Sequence, residues 1–154
     1  MRAKSIAATF CLWSLLVLGV ISIGAGSVQA QALKIEAQLI WGTNDKSSPN
    51  PKHTPVEADV EKKLKDLPLK WTHYFVVNRK TFDVAKDANS KVTLSDQCAI
   101  EVKDLGKSVI EISHFGKGER VWTGKQSLPK GETLVLGGNA PSSTSWLVVL
   151  KRIE

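Results

Sequence analysis

Between Trp71 and Leu150 the chain is a succession of short apolar or alternating runs, each closed by a turn-forming segment. Strands at short, regular spacing between Gly/Pro turns build an antiparallel β-sandwich or an open barrel. The expected fold is therefore mainly β, with about seven to eight strands. "WTHYFVV" (71–77) is aromatic and β-branched and apolar on both faces, as suits a strand covered on both sides. Phe82 and Val84 mark a short strand of their own, and 87–90 reads as a polar turn. Val92 and Leu94 lead to "CAIEV" (98–102). Gly106-Lys107 then reverses the chain into "SVIEISHF", and 115–118 turns it into "ERVWTGKQSL". Pro129-Lys130-Gly131 is the next turn, with Pro and Gly in favoured turn positions. "ETLVLGG" follows, then a polar loop (139–145). "WLVVL" (146–150) is a continuous apolar run, as in a central strand.

Upstream, "LKIEAQLIW" (33–41) sets Leu33, Ile35, Ala37, Leu39 and Trp41 against Lys34, Glu36 and Gln38, a half-buried strand. A polar loop with three of the six prolines follows. It ends in Thr54-Pro55-Val56-Glu57, which reads as a helix start. Thr54 is the cap, Pro55 the first helical residue, and Glu57 completes a capping box. Val56, Val60, Leu64 and Leu67 form one apolar stripe. Asp59–Lys63 and Glu61–Lys65 are i,i+4 pairs with the acid first. Pro68 ends the pattern. These signals predict one inserted helix near residues 55–66.

The N-terminus reads differently. Arg2 and Lys4 precede an uncharged apolar stretch (6–28) that ends in small residues at Val28-Gln29-Ala30 and Ala30-Gln31-Ala32. This is the layout of a secretory signal peptide, residues 1–32, cut after Ala30 or Ala32. If it is not cut, its length suits a membrane anchor. Cys11 lies too early in the apolar run for a lipoprotein cysteine. The expectation is one exported β-domain, 33–154, in the periplasm, cell envelope or outside the cell. That length supports a core without metal or disulfide staples.

Without Arg2 and Lys4, the 21 basic residues fall to 19 against 15 acidic ones, a net charge of +4. A spread excess of this size favours solubility and weak attraction to anionic envelope polymers. No dense Lys/Arg cluster with interleaved aromatics marks a nucleic-acid surface. Cys98 is then the one remaining cysteine, so no intramolecular disulfide forms. It alternates with Ile100 and Val102 and reads as a small buried apolar residue. Neither a helix N-terminus nor a neighbouring histidine is evident to activate it.

Catalytic constellations are lacking. His53, His73 and His114 stand in no HExxH, CxxC or HxH arrangement, so no metal or other cofactor is expected. No Gly-x-Ser-x-Gly elbow occurs, and no spacing selects an acid/base pair of carboxylates. "LGGN" lacks the helix and Lys-Ser/Thr of a phosphate loop, and Asn44-Asp45 lacks the spaced ligands of a calcium loop. Trp41, Trp71, Trp122 and Trp146 sit within apolar β runs, which assigns them to the core. Trp41 is the exception: it ends its strand where the polar loop begins.

The phrase "LPKGETLVLGG" (128–138), followed by a polar loop and an apolar last strand, resembles a phrase of the outer-membrane secretin family. There a Gly turn precedes a strand ending in Gly-Gly. The likeness covers about a tenth of the chain, and no long transmembrane hairpins accompany it. The domain as a whole looks like small exported bacterial β-proteins. The resemblance implies an envelope or secretion-system partner and transfers no functional residue.

The leading expectation is a non-catalytic exported module that binds an envelope protein or a cell-wall polymer. Its candidate surfaces are the loops at the sandwich ends, 43–53 and 139–145, and the open sheet edges. The residues singled out are Trp41, Asn44, Asp45, His53, Asn139 and Ser143. Two alternatives stand beside it. A small secreted hydrolase needs a histidine beside Asp or Ser in a cleft. A carbohydrate-binding module needs at least two tryptophan rings exposed in line on one face.

Overall fold

A computed structural model describes residues 31–137 and 144–154. The leader expected at 1–32 lies outside the described residues except for its last two positions, and Asn139 and Ser143 also lie outside them. The elements in order are β1 (Leu33–Thr43), β2 (Thr54–Pro55), α1 (Ala58–Lys65), β3 (His73–Val84), β4 (Asn89–Ser95), β5 (Cys98–Gly106), β6 (Val109–Gly116), β7 (Glu119–Ser127), β8 (Thr133–Gly137) and β9 (Thr144–Arg152). They make two antiparallel sheets, β2-β3-β1-β9-β8 and β4-β5-β6-β7. Neither sheet closes on itself. The protein is a β-sandwich with one helix, and no closed barrel forms. The nine strands exceed the expected seven to eight, and the one not expected is the two-residue β2.

Alternation in β1 sets both layers. Leu33, Ile35, Ala37 and Leu39 face the smaller sheet and are buried against Leu94, Ile100, Val102, Ile110 and Ile112. Ile40 points the other way and joins Leu147, Val149 and Tyr74 under the helix residues Val60 and Leu64. β1 is therefore buried on both faces, although its sequence alternates as a half-buried strand would. β3 pairs with it along its whole length, so Phe82 and Val84 belong to β3 and form no strand of their own.

The helix starts later than the capping pattern predicts. Thr54 and Pro55 pair with Val76 and Phe75 of β3, which takes them out of the helix. Glu57 is the N-cap residue, without a side-chain cap bond. Its carboxylate instead accepts a hydrogen bond from Arg79 Nη1 at 2.7 Å. Sheet pairing and an ion pair thus displace a local box worth about 1 kcal/mol. Asp59 likewise turns to Lys151 Nζ of β9, at 2.6 Å, while Glu61–Lys65 forms as expected at 2.7 Å. The Lys151 ammonium holds the Asp59 carboxyl below its ordinary range. Its stabilising contribution is present above the ordinary carboxylate pKa and fades as pH falls through the lowered value. Helix α1 is pinned by two ion pairs at its start and by Val60 and Leu64 beneath it.

Leu64 is fully buried where α1 crosses the sheet. Leu64→Ala should cost about 2–5 kcal/mol. The check is the urea unfolding midpoint. A loss under 1 kcal/mol would mean that the helix is not part of the cooperative core.

Candidate functional site

The inner faces taper toward one end of the sandwich. On β5 the inward residues run Val102, Ile100, Cys98; on β6 they run Ile110, Ile112, His114, Gly116. Large aliphatic side chains give way to a thiol, an imidazole and no side chain. The facing wall stays apolar, with Leu39, Val77, Val148 and Trp146. The sheets cannot close over this gap, and an apolar cleft of about 590 Å³ remains. Ser95, Asp96, Gln97 and Lys117 lie on the two hairpin turns at its mouth. The turns are tied together by the Lys117 N–H donating to the Gln97 carbonyl at 3.0 Å.

A second lobe of about 420 Å³ opens sideways between β7 and β8. Trp122, Leu134 and Leu136 give it apolar walls, and His114 lines both lobes. Two bulges shape these walls. On β3, Val77 is the extra residue between Val76 and Asn78. Val77 then lines the cleft, while Asn78 Nδ2 donates to the Leu94 carbonyl across the sheets at 2.6 Å. On β7, Val121 is the extra residue, with Trp122 set opposite His114. A bulge re-aims side chains in this way. Gly124 completes the second wall: the Trp122 ring lies where a Cβ at 124 would collide with it.

Cys98 Sγ lies 3.5 Å from His114 Nε2. The expectation that no histidine neighbours this cysteine is therefore wrong. The signal was in the hairpin: with Asp104 opposite Ile110, Ile100 meets His114 and Cys98 meets Gly116. Cys98 and His114 are then diagonal cross-strand neighbours. Burial pushes the Cys98 thiol up and the His114 imidazole down. The pair is a neutral thiol beside a neutral imidazole, the reverse of the thiolate–imidazolium of a nucleophilic cysteine.

The tryptophans divide differently from the expectation. Trp71 is buried under the helix, and its carbonyl accepts from the Tyr74 hydroxyl at 2.8 Å. Trp122 and Trp146, assigned to the core, are 41% and 56% exposed. Both stand on inner faces, Trp146 lining the first lobe from β9 and Trp122 the second from β7. Trp41 is half-buried, as expected, directly opposite Trp146 on the neighbouring strand.

The loop residues serve local bonds. Asn44 Oδ1 accepts from the Thr72 N–H at 3.1 Å. Asp45 N–H donates to Thr43 Oγ1 at 3.1 Å. His53 Nδ1 pairs with Ser48 Oγ at 2.8 Å, and its ring stands edge-on to Trp41 at 6.0 Å. His73 Nδ1 pairs with Thr72 Oγ1 at 2.9 Å. The three histidines do not converge. Asn44, Asp45 and His53 do not line the cleft.

Among the described residues, no group of three or more His, Cys, Asp or Glu side chains could hold a metal ion. No helix among them is long and apolar enough to cross a membrane. Comparison with known proteins returns no matching family, no matching curated protein and no matching solved structure.

The buried imidazole has a measurable consequence. A histidine whose folded pKa lies below its unfolded value stabilises the fold above the unfolded value, near 6.5. That stability is lost as pH falls through the folded value. The urea midpoint of the wild type should therefore drop more steeply below pH 6.5 than that of His114→Phe. Parallel pH profiles for the two proteins would show that His114 is not buried.

Proposed function

We propose that this protein is a non-catalytic exported binding module whose ligand site is the cleft between its two sheets. The cleft is the observation that carries the reading. At about 590 Å³ it falls in the range of small-ligand sites, which are apolar with a few placed polar groups. The leader-like N-terminus supports export, and the envelope is where a ligand or partner would be met. The neutral state of Cys98 and His114 supports binding over nucleophilic chemistry. So does the placement of the other histidines: Ser48–His53 is a pair within one loop, and among the described residues no carboxylate completes it as a triad.

The carbohydrate-binding alternative keeps one supporting observation, the exposure of Trp122 and Trp146, but not the alignment it requires. Their rings line different lobes and do not stand in line on one face. That arrangement suits a ligand inserted between the sheets better than a polymer laid on a flat aromatic platform.

Titration with the apolar fluorophore anilinonaphthalene sulfonate tests the cleft. Saturable binding should protect Cys98 from a thiol reagent, since the thiol lines the cleft. Trp146→Ala should weaken binding about tenfold, the value of roughly 55 Å² of apolar contact. No saturable binding, or labelling of Cys98 that ignores bound dye, would end the reading.

A further inference from the structure

We infer that the two lobes act as one bent channel for a single-chain amphiphile, a linear alkyl or acyl chain carrying a polar head group. This rests on the proposal that the cleft is the ligand site. Three observations carry it.

The first is shape. Both lobes are lined by His114, so each opens onto the same imidazole. A compact ligand fills one lobe. A narrow flexible chain passes the imidazole and fills both.

The second is the distribution of polarity. No charged side chain lines the side lobe, where Trp122, Leu134 and Leu136 face each other. In the end lobe the charged side chains are Asp96 and Lys117, both on the turns at the mouth. Beyond them the wall is Leu39, Val77 and Val148. Charge confined to one end, with the remainder apolar but for Gln126, Cys98 and His114, is the complement of a head and a tail. A sugar would meet too few partners inside, and a charged ligand would be desolvated without compensation.

The third is the middle of the channel. Cys98 Sγ and His114 Nε2 pair with one another at 3.5 Å, so these two atoms do not require a polar group from the ligand. A methylene chain can lie against the paired Sγ and Nε2 without leaving either newly unpaired.

The experiment measures affinity for saturated fatty acids from six to fourteen carbons, each below its micellar concentration. Intrinsic tryptophan fluorescence is the readout. Each methylene that enters the channel should raise affinity about fourfold. The rise should continue past the length that fills the end lobe alone. In His114→Trp, which narrows the junction, the rise should stop at a shorter chain. Trp122→Ala, which alters a half-exposed wall residue and spares the core, should flatten the slope for the longest chains. Circular dichroism and a thermal melt establish that each variant is folded.

Affinity that ignores chain length overturns the channel, as does an unchanged break point in both folded variants. If the fluorophore still binds and protects Cys98, the cleft remains the ligand site and only the amphiphile is lost. If neither fluorophore nor fatty acid binds, both proposals fall.

Discussion

Everything in this protein hangs on β1. It is hydrogen-bonded on both sides, to β3 and to β9, and it is buried on both faces from Ala37 to Ile40. Its odd-numbered residues hold the inter-sheet core; Ile40 on the other face reaches the helix layer. Burying an aliphatic side chain contributes about 1.5–3 kcal/mol, and β1 does so on two fronts. A slip of one residue would exchange Leu39 for Ile40 and Ile35 for Glu36, placing a carboxylate in the core. The register of β1 therefore fixes where the helix sits and how far the inner faces extend. The cleft begins where that shared register runs out of large partners on the smaller sheet.

Much of this was legible in residue patterns, because alternation reports faces directly. The sandwich, the inserted helix, the turns at Gly106 and Gly118 and the central last strand all follow from local signals. The two-residue loops Lys107-Ser108 and Lys117-Gly118 have positive φ throughout, as two-residue hairpins of this handedness require. Failures occurred where distant groups outbid local ones. The capping box at Thr54 is sound chemistry, but β3 offered Thr54 backbone partners and Arg79 offered Glu57 a cation. Asp59 had Lys63 one turn away and chose Lys151, 92 residues on. A pattern confined to one segment carries no information about such competitors.

The cleft was hidden for a related reason. Its walls come from β1 and from every strand from β3 to β9, and no single stretch announces it. Two traces were present. Val76-Val77 and Val121-Trp122 are adjacent apolar pairs that break alternation, and each marks a bulge. The inward faces of β5 and β6 shrink toward Cys98 and Gly116. Trp122 and Trp146 looked like core because they sit in apolar runs. A run reveals that a strand is apolar but not whether the opposing strand reaches far enough to cover it.

That last distinction bears on function. A sandwich with no use for a cavity fills it, since packed interiors resemble organic crystals and voids are costly. Here the inward faces of β5 and β6 shrink to Cys98, His114 and Gly116 beside the space. Gly116 and Gly124 carry no side chain, and the latter is what lets the Trp122 ring lie flat along its strand. Trp122, Trp146 and Val121 are left partly in water. Lone apolar residues on a surface need no explanation. Trp146 in the first lobe and Trp122 in the second, with His114 lining both, present concave apolar surface that water solvates poorly. The stable use of such a surface is to be covered, and a ligand that enters between the sheets can cover both rings while leaving the register of β1 undisturbed.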